Sequence, residues 1–322
     1  MDWGDQRRLI KVSKMYYEDN MTQNEIAKKT GIYRTTITRL LQKARDEGIV
    51  QITIKGDYRE QVNLEQQLQD KFGMKEVIVV PAEETETKDE RQQKLGESAV
   101  HLIDSIMKDD DVVGFAWGST LGKMVDALGG SKNRDVEFVP LVGGPGKMPV
   151  EHHVNTIVYS YAKAYRGHAN FIDAAAIVPS PQSKKEIVES KYFQDIINLW
   201  ENLTIAVVGV GTPVSSSNLV FSGFFGESDL NYLNDQGAIG DICSRFYDIN
   251  GEQIVGEIDD RTIAITLEKL KSLSYSIGVA ESIEKTESIV GALRGGYLSH
   301  LVTNDITAKS ILEFSEGNEK EN

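Results

Sequence analysis

Short apolar runs alternate with amphipathic helical stretches from residue 76 to residue 208, and this alternation constrains the fold more than any other feature. Strand candidates cover residues 76–80, 111–116, 136–141, 174–178 and 204–208. Helical stretches lie between them, near residues 89–107, 121–128, 154–165 and 184–200. Such a pattern implies an α/β body, doubly wound, with a mainly parallel sheet covered on both faces. Ligands of these folds sit at the carboxyl ends of the strands. The turns GST, GGPG and GVGTP all fall at those ends.

The segment VVGFAWGSTLGKMVDAL, residues 112–128, joins a strand to a helix through Gly118, Ser119 and Thr120. Two hydroxyls and consecutive N–H groups at a helix start can wrap phosphate oxygens, and the helix dipole favours the anion. The bland alternative is a simple cap, since Ser and Thr begin helices everywhere. Gly143 and Gly144 in LVGGPG, and Gly209 and Gly211 in AVVGVGTP, either bring backbone close to a ligand or merely end strands. The second motif lacks the third glycine and the downstream acid of a dinucleotide fingerprint, which argues against NAD.

In AIGDICSRFYDINGEQIV, residues 238–255, Asn250-Gly251 is a hairpin turn. Asp241 either accepts hydrogen bonds from sugar hydroxyls or pairs with Arg245, four residues on. Arg261 in DDRTIAI and Arg294 in ALRGGY either add charge to a phosphate pocket or make ordinary ion pairs. His152 and His153 are adjacent, without metal-ligand spacing, and read as a helix cap or surface residues. No catalytic triad or working carboxylate pair emerges. The expectation is a protein with no cofactor, no metal and no catalysis.

The first 55 residues differ from the rest. They carry eleven Lys and Arg against seven Asp and Glu, a balance of +4 in a chain of net charge -14, so the remainder stands at −18. A locally basic head on an acidic body suits docking on DNA. Leu9, Ile10, Val12, Ser13, Tyr16 and Tyr17 form one apolar stripe of a first helix. In MTQNEIAKKTGIYRTTITRLLQKARDEGIV, Thr22 and Glu25 form a capping box, Gly31 makes a turn, and a second helix from about Tyr33 buries Ile37, Leu40, Leu41 and Ala44. This is the helix-turn-helix pattern. Tyr33, Arg34, Thr35, Thr36 and Arg39 then fall on its exposed side as candidate DNA readers, with Lys28 and Lys43 as phosphate contacts. QITIKGDY, residues 51–58, alternates like a strand of a small wing. The domains expected are a DNA-binding head over 1–56 and an effector and oligomerisation body over 57–318. In the helix that follows, Val62, Leu64, Leu68 and Phe72 face either another subunit or their own body. No apolar run could cross a bilayer, and the single cysteine, Cys243, reads as packing in a reducing compartment, so a cytoplasmic protein without membrane contact is expected.

YRTTITRLLQKARDEGIV resembles the recognition helix of the SorC (deoxyribonucleoside-regulator-like) family of bacterial transcription regulators. WGST, the GG after the third strand, GDICSRF with its hairpin, DRTIAI and GALRGGY resemble that family's effector domain, in the same order. The resemblance implies a winged helix-turn-helix joined to a body similar to ribose-phosphate isomerases and glucosamine-phosphate deaminases. It implies three partners: operator DNA, a phosphorylated sugar and further copies in a dimer or tetramer. By motif, Ser119, Thr120 and Leu121 would hold the phosphate, with Gly118 beside them in the effector site, Asp241 would read sugar hydroxyls, and Gly143 and Gly144 would border the pocket. Val142 stands where a deoxyribose-phosphate-sensing subgroup has an imine-forming lysine, and LRGGY carries only Arg294 where many relatives have a lysine. The alternative is a sugar-phosphate isomerase or deaminase with an appended helical head.

Overall fold

A computed structural model describes residues 2–51, 56, 58–83, 85–129, 133–212 and 226–319. The chain divides into two units, residues 1–59 and 60–322. In the first, helices α1 (Trp3–Tyr17), α2 (Gln23–Thr30) and α3 (Arg34–Asp46) enclose a core of Val12, Met15, Ile26, Ile37 and Leu41. The capping box is present: Thr22 Oγ1 accepts from the Glu25 N–H at 3.3 Å, and the Glu25 carboxylate accepts from the Thr22 N–H at 2.8 Å. Gly31, in the left-handed region at φ 71, closes α2. Thr38 Oγ1 donates to Gln23 Oε1 at 2.8 Å and ties α3 to α2. Ile10 is a correction to the stripe in α1. Its neighbour Leu9 takes the inward position, and about 100° of helix rotation leaves Ile10 half exposed. The wing candidate at 51–58 lies largely outside the described residues.

The second unit is built on a seven-stranded parallel sheet in the order β1-β9-β8-β5-β2-β3-β4. Its strands are β1 (Glu76–Val80), β2 (Val112–Phe115), β3 (Glu137–Pro140), β4 (His168–Ala169), β5 (Ile205–Val208), β8 (Tyr275–Val279) and β9 (His300–Asn304). Every residue of β2 and β5 is buried, as a sheet covered on both faces requires. Helices α5 (Lys88–Ile106), α6 (Ser119–Asp126), α7 (Val154–Tyr165), α8 (Pro181–Val188) and α9 (Lys191–Glu201) connect the first five strands. A separate hairpin pairs β6 (Gly240–Ile242) with β7 (Arg245–Tyr247). Its two-residue turn, Cys243-Ser244, has both residues at positive φ, 53 and 61, the geometry that a right-twisted hairpin favours. The Asn250-Gly251 turn follows as a second reversal, with Tyr247 bridged to Gln253.

Two expectations are corrected. Residues 174–178 are not a strand of the sheet. They are pinned beyond its edge by isolated bridges, Gly144 to Ala175 and Ile177 to Thr262, while His168–Ala169 pairs with β3 instead. The single helix expected over 184–200 is two, because Ser190 Oγ accepts from the Phe193 N–H at 3.3 Å and starts a new helix. Of the two alternatives for α4 (Arg59–Phe72), packing on its own body holds for most of the stripe: Leu64 and Leu68 are buried in the body's core with Phe72 packed against it, and only Val62 of that set faces outward.

Candidate functional site

The strand order reverses between β2 and β5, where the chain leaves the sheet towards β3 on one side and returns on the other. Crevices form at such switch points. Val113, Gly114 and Phe115 pair with Ile205, Ala206 and Val207, so the segments 116–121 and 209–212 emerge side by side. Together with the β6–β7 turn and the residues after β8 they enclose a cavity of about 420 Å³. Gly118, Ser119, Thr120, Leu121, Gly209, Gly211 and Asp241 all line it.

The floor of the cavity is the start of α6. Gly118 caps this helix at φ 141, a conformation that disfavours any side chain, and no side-chain group caps the helix. The Gly118 N–H donates to the His152 carbonyl at 3.1 Å. The N–H groups of the first helical turn have no intrahelical acceptor and form the positive end of the helix dipole. Gln92, one turn before Gly96 on α5, sits directly above. Gly96 permits the approach: a Cβ there would lie 3.0 Å from the Lys123 backbone on α6. Gln92 Nε2 donates to Thr120 Oγ1 at 3.2 Å and to Ser119 Oγ at 3.4 Å. Each hydroxyl thus spends an acceptor site on the amide, which leaves its own proton available to donate.

Asp241 forms another wall. Its Oδ2 accepts from the Ser244 N–H at 3.0 Å, and its Oδ1 packs against Gly211, where a Cβ would lie only 1.9 Å away. No side chain other than glycine fits at 211 without moving that carboxylate. Burial pushes the Asp241 carboxyl up to about 6, opposed by the Ser244 N–H bond and the charge of Lys285. Lys285 Nζ donates to the Val210 carbonyl at 2.7 Å, and burial is the main cause holding this amine below its ordinary range. Lys88 and Arg91 bring further cationic charge to the lining.

In the head, the first turns of α3 present Tyr33, Arg34, Thr35, Thr36 and Arg39 to solvent, opposite buried Ile37, Leu41 and Ala44. Tyr33 is 85% exposed, unusual for so large a ring. Lys28 and Lys43 are exposed as well.

Comparison with known proteins places both units. A family described as "Putative sugar-binding domain" matches residues 57–313, and a winged helix-turn-helix DNA-binding family matches residues 16–51. The sorbitol operon regulator of Klebsiella pneumoniae is 39% identical over 96% of this chain and 98% of its own length. The chain belongs to the SorC family of sugar-binding transcriptional regulators. The full-length crystal structure of that Klebsiella regulator superposes with a TM-score of 0.76, covering 95% of this chain and 98% of the other. The deoxyribonucleoside regulator of Bacillus subtilis (strain 168) is 30% identical over 97% of this chain and 99% of its own. The body is therefore a regulator's ligand domain and not an enzyme. Among the described residues, no helix is long and apolar enough to cross a membrane.

In this SorC-family chain, four residues expected at the pocket lie elsewhere. The Gly143 N–H donates to the Ile263 carbonyl at 2.9 Å and the Gly144 N–H to the Ala174 carbonyl at 2.7 Å, so both close onto neighbouring loops while Val142 reaches the cavity. Arg261 is buried against Asp229, with 2.7 Å between Nη2 and Oδ1. Arg294 donates to the Ile249 carbonyl at 3.0 Å and steadies the Asn250-Gly251 turn. Arg245 does not pair with Asp241. It pairs with Asp259 and donates to the Ile265 and Ala264 carbonyls, which frees Asp241 for the cavity. His153 caps α7 through Nδ1, which accepts from the Asn155 N–H at 3.3 Å. Cys243 is buried in the hairpin turn, and burial pushes its thiol far above the ordinary range. The residues that sequence reasoning missed are Lys88, Arg91, Gln92, Glu281 and Lys285.

Proposed function

We propose that this regulator controls a carbohydrate-utilisation operon by binding operator DNA through α3 and a phosphorylated sugar in the body cavity. The observation that carries the reading is the floor of that cavity. Uncapped N–H groups and two hydroxyls oriented by Gln92 converge beside cationic side chains, an arrangement suited to a phosphate. Ser119, Thr120 and Leu121 hold the anion, and Asp241 accepts from sugar hydroxyls above it. Val142 offers no amine, so capture of the sugar as an imine is not expected there. The test is a thermal-shift screen of paired phosphorylated and unphosphorylated sugars, since a ligand of the native state raises its apparent stability. Phosphorylated members alone should raise Tm and change operator retention. Equal shifts from the unphosphorylated partners would overturn the phosphate reading.

The same site predicts a pH response. The Asp241 carboxyl sits near 6 in the folded chain against an ordinary value of 3.8. Folding therefore favours its protonated form. That contribution is fully present at low pH and is lost as pH rises through about 6. Asp241→Asn should stabilise the free protein at pH 7.5 by on the order of 2–3 kcal/mol, with the gain vanishing near pH 4. Thermal denaturation across that range reads it. Sugar affinity should fall in the wild type below pH 6, as the acceptor and the effector's own phosphate are both protonated, and the variant should keep only the shallower part due to the phosphate.

Specific reading of DNA also requires more than one head, because a single recognition helix covers too few base pairs. A homodimer or tetramer with symmetric contacts satisfies this. Light scattering should show it with and without operator, and a strict monomer in both cases would remove the idea.

A further inference from the structure

We propose that the Tyr33 ring reads the C5-methyl group of a thymine in the operator. This rests on the reading of α3 as the DNA-reading helix and adds the base that its leading side chain selects. The three helices of the head begin differently. Asp2 caps α1, accepting from the Asp5 N–H at 2.8 Å, and Thr22 caps α2. Tyr33 holds the corresponding place before α3, and no side chain caps that helix. Helix formation favours Ser, Thr, Asp or Asn at such a position, and tyrosine forgoes that gain.

Packing does not account for the ring either. Ile32 before it packs against the core of the head, and Ile37, one turn on, is fully buried. Tyr33 between them is 85% exposed. Its carbonyl accepts from the Thr36 and Ile37 N–H groups at 2.9 and 3.0 Å, a role that any residue fills. Only the backbone of Tyr33 therefore serves the fold. The side chain neither caps nor packs.

The surroundings define what the ring can meet. Arg34, Thr35 and Thr36 are exposed beside it and supply hydrogen-bonding groups. The base edges in the major groove are donors and acceptors, with the thymine C5-methyl as their one apolar group. The start of a recognition helix delivers its side chains to those edges. An apolar ring carried there gains from burial against that methyl group, and no other base offers it one.

The test is a selection from a random duplex pool with the full chain. Each thymine of the enriched duplex is then replaced by uracil, which removes only the methyl group. In wild type, replacement at one position of each half-site should weaken binding about fourfold, the effect of one buried methyl. Tyr33→Ser should weaken the thymine duplex roughly tenfold and make that same replacement silent, so that the two changes are coupled. Serine is the better cap, so the Tm of this variant should not fall, which separates reading from folding. Tyr33→Phe keeps the ring and should retain both the affinity and the uracil effect. No uracil effect in wild type, or the same effect in wild type and Tyr33→Ser, overturns the proposal. So does a loss in Tyr33→Phe as large as that in Tyr33→Ser, which would make the hydroxyl the contact. A lowered Tm in Tyr33→Ser would give the ring a structural role and overturn it as well. If wild type enriches no sequence, or Arg34→Ala binds the enriched and random duplexes as wild type does, the reading of α3 falls instead.

Discussion

Thr120→Glu is expected to abolish the response to a sugar phosphate while leaving operator binding intact. Thr120 is 7% exposed and its hydroxyl stands among the free N–H groups of α6. The new carboxylate takes the position of the phosphate and faces it as a like charge. A lost charge-assisted hydrogen bond is worth about 1.5–3 kcal/mol, and close like charges add about 1–4 kcal/mol. Affinity should fall by at least about a hundredfold. The fold should survive, because a carboxylate in the first turn of a helix is electrostatically favourable. Thr120→Val supplies the milder comparison, removing the hydroxyl at similar volume and adding no charge; a loss of roughly tenfold is expected. Calorimetry reads affinity, and operator retention with and without ligand reads the response. Wild-type effector affinity in the Glu variant would mean that the phosphate sits elsewhere.

That prediction uses residues legible in the sequence, and the reason is locality. Strand, turn and helix lie within residues 112–128, and the chemistry of Gly118-Ser119-Thr120 follows from what a helix start leaves unpaired. The same holds for the capping box of α2 and the Gly31 turn. Arg91, Gln92, Glu281 and Lys285 escape such reading because their meaning comes from pairing across the fold. Gln92 meets Thr120 through the close approach at Gly96, and Arg91 meets Glu281 across 190 positions. A polar residue on the inward face of a helix, as Gln92 is, was the available signal.

The corrections have the same physical origin. Gly143 and Gly144 follow a pocket residue directly, yet hydrogen bonds to Ile263 and Ala174 turn them aside. Arg261 and Arg294 carry the right charge, but Asp229 and the Ile249 carbonyl claim them. Composition at a strand end identifies what a residue can do. Its long-range partners decide whether it is free to do it.

Arg34→Ala is the second large effect, this time at the head. Arg34 is the first residue of α3 and is exposed, so truncation leaves the Ile37–Leu41 side of the helix and the Thr38–Gln23 bond in place. Alanine also suits a helix better than most residues. If Arg34 makes a bidentate contact to a guanine edge, operator binding should weaken by roughly 1–3 kcal/mol, or about 5- to 150-fold, and discrimination at that base pair should relax. Lys43→Ala should behave differently. A phosphate contact carries no sequence information, so operator and random DNA should weaken together, and the slope of log K against log salt should shrink by about 1. Titrations of both DNAs at several salt concentrations separate the two behaviours. Wild-type binding to both DNAs by Arg34→Ala would place the reading surface outside the start of α3. A drop on both DNAs alike would keep Arg34 at the interface but make it a phosphate contact, leaving base reading to Tyr33, Thr35, Thr36 and Arg39, which share its exposed face.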